Sequence, residues 1–386
     1  MQRGTFQLMK SVNKKIILNK IRTSQPISRA QIAKETGLTP PTVSSIVKEL
    51  IDSELVMESS LGESSGNGGR KPTMLHINTH AFHVIGVDVS PEKVECVVTD
   101  LAGAIIKRTS SVFKNPITNE QFINLLKEKI NAILRLTKID QERIIGIGIA
   151  MHGVVDIENG TSLIAPNLNL RDIPIREELS KEFNWTIKVE NDARAMALGE
   201  SWFGGHDDVD SMVAVNIGRG VGAGIVINRK LYHGAQDIAG ELGHMTIDLH
   251  GDVCKCGNQG CFETFVSGEA IVARAKKQNP GLSEVTAKQI YEEALSGNKA
   301  NVQLLEETGK IIGIGLTNLI HLVNPSKIVL GGGVMKSEQF LMPAILETIQ
   351  NRALTAKAKE TTVTVTKLGD DATILGAVAL LLVELF

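Results

Sequence analysis

Gly240-Glu-Leu-Gly-His-Met-Thr-Ile-Asp-Leu-His-Gly-Asp-Val-Cys-Lys-Cys-Gly-Asn-Gln-Gly-Cys-Phe-Glu263 is the stretch around which the chain is organised. Three of the four cysteines, Cys254, Cys256 and Cys261, fall inside it, and His244 lies ten residues before the first. Three thiolates and an imidazole make a closed tetrahedral set for a zinc ion with no position left for a reactive water, so the spacing predicts structural Zn2+. The competing reading is one disulfide and a spare thiol. Three cysteines in one loop cannot all pair, however, and nothing else in the chain points to an oxidising compartment. Glu241 precedes His244 by three residues and Glu263 follows Cys261 by two. A metal-fixed loop presents both carboxylates and, if one ring nitrogen of His244 holds the metal, a second nitrogen whose direction is locked. Groups so arranged can hold ligand hydroxyls.

The chain has 386 residues, room for two or three domains with cores of their own. Apolar content of 42% and charged content of 22% are those of a soluble globular protein. No apolar run reaches the roughly 20 residues of a membrane span. The N-terminus, with Gln2, Arg3 and Lys10, lacks the apolar segment of a signal peptide, so a cytoplasmic protein without a membrane partner is expected. Charge is uneven. Residues 1–50 carry nine Lys or Arg against two acids, while the whole chain is at −2. A basic N-terminal module on an acidic body suggests a polyanion partner for that module alone.

Val12, Ile16, Ile17 and Ile21 sit at helical spacing before Ser24 and Pro26 stop the pattern. Ser28 is placed to cap a short helix, Arg29 to Thr36, with Ala30, Ile32 and Ala33 inward and Gly37 at the turn. A third helix has Val43, Ile46, Val47, Leu50 and Ile51 on one face and Thr42, Ser44, Ser45 and Lys48 on the other, with Pro40 and Pro41 in its first turn. This is the pattern of a helix-turn-helix. Arg29, Thr39, Thr42, Ser44 and Ser45 are candidates for phosphate or base-edge contacts and Lys48 for a phosphate. Three helices of this size also suit a protein-docking module; the basic surplus favours DNA. Two short strands, Leu55 to Ser59 and Thr73 to Ile77, suggest a wing, and between them a Gly- and Ser-rich segment ends in Arg70, Lys71 and Pro72. It reads either as a linker or as a basic arm that reaches a minor groove through Arg70 and Lys71.

From Phe82 the pattern turns α/β. Val84 to Val89, Val94 to Asp100 and Ala104 to Arg108 read as three strands, followed by a helix near Asn119 to Leu136 and a strand Ile144 to Ile149. Met212 to Ile217, Gly222 to Ile227 and a strand at Lys230 repeat the plan, with a later helix, Val302 to Val323, leading to Lys327 to Leu330. Two copies of such a unit imply two facing lobes with a cleft between them. Cys96 reads as a buried core thiol, and Ile374 to Phe386 as a helix on the second lobe.

The helix-turn-helix, Gly68-Gly-Arg-Lys-Pro72, Glu190-Asn-Asp-Ala193, Gly240-Glu-Leu-Gly-His244, the cysteine loop and Gly331-Gly-Gly-Val334 together resemble the ROK family of repressors and sugar kinases. The resemblance runs essentially the whole length. It is strongest to the repressor branch, because the family's kinases generally lack an N-terminal DNA-binding module. It implies a winged helix-turn-helix with linker over 1–80 and, over 81–386, an α/β two-lobed actin-like sugar-kinase fold with its zinc loop at 244–261. It also implies a sugar cleft built from Asn191, Asp192, Glu241, His244 and Glu263, with Asn167 a further candidate. Carboxylates and amides that fork onto adjacent hydroxyls suit that role.

In the family's kinases the residue matching Asp192 is the general base for the attacking hydroxyl, which keeps an enzyme reading in play. The nucleotide side departs from the kinase pattern. Where the kinases carry a phosphate loop this chain has Asp88-Val-Ser-Pro-Glu92, in which Pro91 removes an amide donor and Glu92 adds negative charge. Arg219 stands at the hydroxyl position of the second glycine-rich turn, and His152 replaces a usual proline near the pocket. The expected protein is therefore a sugar-responsive repressor, dimeric or tetrameric, that binds double-stranded operator DNA with xylose or a related sugar as effector. The alternative is an ATP-dependent sugar kinase with a DNA-binding appendage.

Overall fold

Caps and turns written into the first 80 residues place its helices. The computed structural model describes residues 6–61, 71–113, 116–206, 209–281 and 284–386. Helix α1 (Phe6–Ser24) leads through strand β1 (Ile27–Ser28) to α2 (Arg29–Thr36), α3 (Pro40–Asp52) and strands β2 (Val56–Leu61) and β3 (Thr73–Ile77). The Ser28 hydroxyl accepts from Gln31 N at 3.2 Å and starts α2; Gly37, at φ 70°, ends it by donating to Ala33 O. Thr39 caps α3 ahead of the two prolines. Val43, Ile46, Val47 and Leu50 are buried under α3, and β1 and β2 flank β3 antiparallel as a wing. Three expected inward residues are instead exposed: Val12, Ile16 and Ala30. The inward stripe of α1 is Ile17, Leu18 and Ile21, rotated from the expected face because α1 also packs against the C-terminal helix.

The rest of the chain builds two five-stranded sheets of the same topology. The first contains β4 (His83–Val89), β5 (Lys93–Thr99), β6 (Ile105–Val112), then α4 (Asn119–Thr137) and β7 (Ile144–Met151). A small antiparallel sheet of β8 (Val154–Asp156), β9 (Thr161–Ala165) and β10 (Leu170–Ile173) and helix α5 (Ile175–Ser180) intervene before β11 (Thr186–Asn191) completes the order β11-β7-β4-β5-β6. Helix α6 (Asp192–Phe203) then crosses to the second lobe, where β12 (Ser211–Ile217), β13 (Val221–Ile227) and β14 (Lys230–Tyr232) form a meander. After the cysteine loop come α7 (Glu263–Val266), α8 (Gly268–Gln278), α9 (Ala287–Leu295), α10 (Lys299–Val323), β15 (Lys327–Gly331), α11 (Glu338–Arg352), α12 (Ala356–Lys359) and β16 (Thr362–Val365), giving the order β14-β13-β12-β15-β16. In both sheets three antiparallel strands are followed by two parallel ones, the repeat expected from the sequence. Cys96 is fully buried in the first core.

The last helix, α13 (Ala372–Leu385), does not lie on the second lobe as expected; it crosses back to the first. The reason is in Gly86 of β4 and the alternating Gly146 and Gly148 of β7. A Cβ on Gly148 would fall 1.8 Å from Ala377 O, and one on Gly86 2.8 Å from Val378 Cγ2, so these bare positions let the helix lie directly on the sheet. Helix α6 makes the reciprocal crossing onto the second sheet, where Gly224 faces Ala197. Residues 372–385 are apolar on every side, which fixes burial but not the burying partner. Among the described residues no helix is long and apolar enough to cross a membrane.

Candidate functional site

The cleft opens at the carboxyl end of β11, where the chain turns into α6. Asn191 caps that helix: its Oδ1 accepts from Ala193 N at 3.0 Å and Arg194 N at 3.1 Å, while its Nδ2 donates to Gly153 O at 2.9 Å. Asp192 is therefore held at the first helical position facing the cleft. Its Oδ1 accepts from Asn191 Nδ2 and Ala193 N, and its Oδ2 lies 3.3 Å from His152 Nδ1. On the far side of the ring, His152 Nε2 is 2.9 Å from Asn167 Nδ2. The His152 ring thus bridges the Asp192 carboxylate and the Asn167 side-chain amide. Burial works against a charged His152, but the bond to Asp192, with the charges of Glu263 and Glu241, outweighs it and raises the ring above the ordinary histidine range.

The opposite wall is the cysteine loop. Gly240, at φ 96°, anchors it: a Cβ there would meet Ala223 O at 1.9 Å, and Ala223 N donates to Gly240 O at 2.8 Å. Only glycine permits this approach, and it swings Glu241 into the cleft. Ile247 N to Gly260 O and Cys254 N to Asn258 O close the loop on itself. The ligand atoms of His244, Cys254, Cys256 and Cys261 all lie within 4.8 Å of one another. Cys256 Sγ to Cys261 Sγ and Cys254 Sγ to His244 Nδ1 are each 3.7 Å. That edge matches the roughly 3.8 Å between sulfurs in a tetrahedron with metal–sulfur bonds of about 2.3 Å. It is far beyond the approximately 2.05 Å of a disulfide, and all four cysteines of the chain are free. The residues thus fit a thiolate-loving metal ion. Burial above all, aided by Glu263, pushes the Cys254 thiol up, so an arriving cation must displace its proton.

With Nδ1 of His244 turned to the cysteines, Nε2 faces the cleft, 4.0 Å from Glu241 Oε2. Glu263 Oε1 accepts from Cys254 Sγ at 2.9 Å, and its Oε2 lies beside Gly220. Burial raises the Glu241 carboxyl above its usual range, with Asp192 and Glu263 adding to the shift. Asn167, Asn191, Asp192, Glu241, His244 and Glu263 all line one cleft of about 650 Å³, joined there by His152.

The same cleft continues to the turns that would face a nucleotide. Ser90 N already donates to Lys93 O at 2.9 Å. Arg219 of the second lobe reaches across to Glu92 of the first, Nη2 to Oε2 at 2.9 Å. This ion pair links the two lobes at that end of the cleft. Asp88, beneath this turn on β4, is pushed up to about 7 by burial, and then by the charges of Asp192 and Glu95. The folded protein therefore holds a proton there that the unfolded chain has released, and stability falls as pH rises from the ordinary carboxylate range through about 7. Asp88→Asn is expected to raise urea resistance at pH 8.5 by on the order of 2 kcal/mol and to have little effect at pH 4. Equal urea midpoints of variant and parent at pH 8.5 would refute the assignment.

Sequence reading missed the support under this site. Glu190, on β11, accepts from Arg194 Nε and Asn191 N, each at 2.7 Å, and pairs with His233 Nε2 at 2.8 Å. Arg194 Nη1 also donates to Asp237 O at 2.5 Å, tying the segment that leads to Glu241. Glu190 and Arg194 are 2% and 1% exposed, so the pair lies in the interior. An acid and an arginine four residues apart at a strand-to-helix turn was the available signal.

On the N-terminal helices, Thr39, Ser44, Ser45 and Lys48 are exposed along α3 and Thr42 is half-buried. The Thr39 and Thr42 hydroxyls bond each other at 2.9 Å. Arg29 is drawn to the wing, its Nη2 donating to Glu58 Oε1 at 2.7 Å. Lys71 is exposed at the foot of β3, and Arg70 lies outside the described residues.

The ROK family profile matches residues 84–384, and a winged helix-turn-helix DNA-binding profile matches residues 13–57. The chain belongs to the ROK family. The xylose repressor of Caldicellulosiruptor bescii is 32% identical over 99% of this chain and 98% of its own. A ROK family transcriptional regulator, homologous to the Escherichia coli MLC protein, superposes with a TM-score of 0.85 at 28% identity over 97% of this chain and 98% of its own. A ROK family glucokinase from Streptomyces griseus, solved with glucose and AMPPNP, covers 77% of this chain and 98% of its own with a TM-score of 0.69 at 28% identity. Among ROK proteins the long overlap with regulators includes the N-terminal helices, whereas the kinase overlap is confined to a smaller share of the chain.

Proposed function

We propose that this ROK protein is a sugar-responsive transcriptional repressor of a carbohydrate-utilisation operon, with xylose or a closely related sugar as effector. The observation that carries the reading is the joining of two features in one chain: an exposed, hydroxyl-rich α3 on a winged helix-turn-helix, and a cleft of carboxylates, amides and an imidazole whose other end carries an Arg219–Glu92 ion pair between the lobes. Thr39, Thr42, Ser44, Ser45 and Lys48 face the major groove, Lys71 with Arg70 serves as a basic arm, and Arg29 exchanges Glu58 for a phosphate. Asn167, Asn191, Asp192, Glu241, His244 and Glu263 hold the sugar. A structural Zn2+ on His244, Cys254, Cys256 and Cys261 supplies rigidity, and the division between reader and sensor falls near residue 80. The protein acts in the cytoplasm as a homodimer, or a pair of dimers, on a palindromic operator whose half-sites are set one helical turn apart.

Asn191 Nδ2, Ala193 N and His152 Nδ1 fix the Asp192 carboxylate in the cleft, where it can accept from sugar hydroxyls. The test is a fluorescence titration of the full chain on a duplex selected from random sequence, at fixed salt, with D-xylose and a panel of pentoses, hexoses and N-acetylated sugars. D-xylose is expected to change operator affinity by roughly 5- to 150-fold, the usual span of allosteric coupling. A protein indifferent to every sugar, or one that releases ADP from ATP only when a sugar is present, would defeat the reading.

A further inference from the structure

The sensing cleft and the DNA-reading helices are joined by one rod. Helix α6 begins at Asp192 in the cleft and ends at Trp202 and Phe203, about 15–17 Å away at roughly 1.5 Å per residue. Ala193 through Glu200 are all buried along it. It is locked to α13 backbone to backbone: a Cβ on Gly376 would fall 1.7 Å from Ala195 O, and one on Gly199 2.4 Å from Ala372 O. Because α6 rests on the second sheet and α13 on the first, any change in the angle between the lobes must move these two helices against the sheets they serve.

At their far ends both helices meet the N-terminal unit. Arg22, in the last turn of α1, sets its guanidinium 4.1 Å from the centre of the Trp202 ring and 5.8 Å from that of Phe386. Trp202 and Phe386 are themselves 5.9 Å apart. Asn19 Oδ1 accepts from Arg22 Nε and Nη2 at 3.2 and 3.1 Å and fixes the plane of the cation over the ring. Beside this contact, Ile17, Leu18 and Ile21 share one apolar core with Val378, Leu382 and Phe386, and that core extends to Val43, Val47 and Leu50 of α3. The tail of the rod thus touches the same packed unit that orients the recognition helix.

We propose that Trp202, with Arg22 seated on it, is the positioning joint through which sugar occupancy at the head of α6 reaches α3. The proposal rests on the sugar-responsive reading above. Occupancy of the cleft acts at Asn191 and Asp192; the rod carries the displacement; the cation on its terminal indole turns α1, and α1 turns the helices packed on it. Neither residue touches the cleft or the exposed face of α3, so replacing them should uncouple the two events while leaving each intact.

The experiment uses the full chain, D-xylose and the selected operator duplex. Four quantities are read for the parent, Trp202→Leu, Arg22→Gln and Arg22→Lys: operator affinity without and with D-xylose, and D-xylose affinity without and with duplex. Linkage requires the sugar's effect on DNA binding and the DNA's effect on sugar binding to be the same factor. In Trp202→Leu and Arg22→Gln that factor is expected to fall below about threefold in both directions, with sugar affinity of the free protein unchanged within about threefold. Arg22→Lys keeps the cation and is expected to keep most of the coupling. Undiminished coupling in Trp202→Leu and Arg22→Gln overturns the proposal, as does coupling lost only together with sugar affinity. If Trp202→Leu does not fold, Arg22→Gln decides alone. A parent protein with no sugar response at all sinks the functional reading itself, a different result from a responsive parent with equally responsive variants.

Discussion

Replacing Cys261 with serine is expected to take the protein from about one bound zinc ion per chain to none and to lower its stability by at least about 4 kcal/mol. Cys261 is fully buried, and its sulfur is 3.7 Å from Cys256 Sγ, so it forms one edge of the tetrahedron and cannot be bypassed by a rotamer change at the surface. A hydroxyl is a poor ligand for this set. Without the ion, the loop keeps backbone bonds such as Ile247 N to Gly260 O and the ion pair of Asp252 with Lys277, but His244 loses the constraint that aims Nε2 into the cleft. Sugar affinity should therefore fall by about 10- to 100-fold, the range seen when the orientation of a metal-site group is lost. Elemental analysis, chemical denaturation and calorimetry with D-xylose measure the three effects. Cys96→Ser is the control: that thiol is equally buried but far from the cluster, so the ion should remain. Retention of metal and stability by Cys261→Ser would show that the cysteine loop is not a metal centre.

The second large effect is expected at Arg194. Arg194→Met leaves Glu190 in the interior with His233 as its one remaining side-chain partner among the described residues, and losing one member of a buried pair costs about 3–5 kcal/mol. The same change frees Asp237 O, and with it the chain leading to Gly240 and Glu241, so sugar affinity should drop alongside stability. Glu190→Gln together with Arg194→Met removes both charges and is expected to recover a good part of the loss. Burial tends to raise the Glu190 carboxyl, but His233 and Arg194 overcome this and hold it below its usual range. Its contribution is therefore present at neutral pH and lost on acidification through that lowered value. Urea melts at pH 7 of the three proteins check the prediction; a single Arg194 variant as stable as the parent would refute it.

Much of this architecture could be read from spacing. The faces of α3 follow from Val43, Ile46, Val47 and Leu50 at helical intervals, and its start from Thr39 before two prolines. The metal set was legible because Cys254, Cys256 and Cys261 share one loop with His244 close by, and local chain geometry forces such residues together. The cleft residues were found through motifs rather than periodicity, and His152 was noticed only as a departure from pattern. Periodicity misplaced Val12, Ile16 and Ala30, since a short amphipathic helix tolerates a rotated stripe until something packs on it.

What the sequence by itself determined is local: helix caps, the strand repeat, the cluster of soft-metal ligands, and the departures from the kinase pattern at Pro91 and Arg219. What only the tertiary structure decided is which distant groups meet. Arg219 pairs with Glu92 across the lobes, Arg194 closes on Asp237, α13 returns to the first sheet, and Arg22 lies on Trp202. Burial and charge patterns state that a group needs a partner, because desolvation is costly whatever the partner is. Which partner it finds depends on how separately formed layers stack, and that is set by the summed packing of the whole chain.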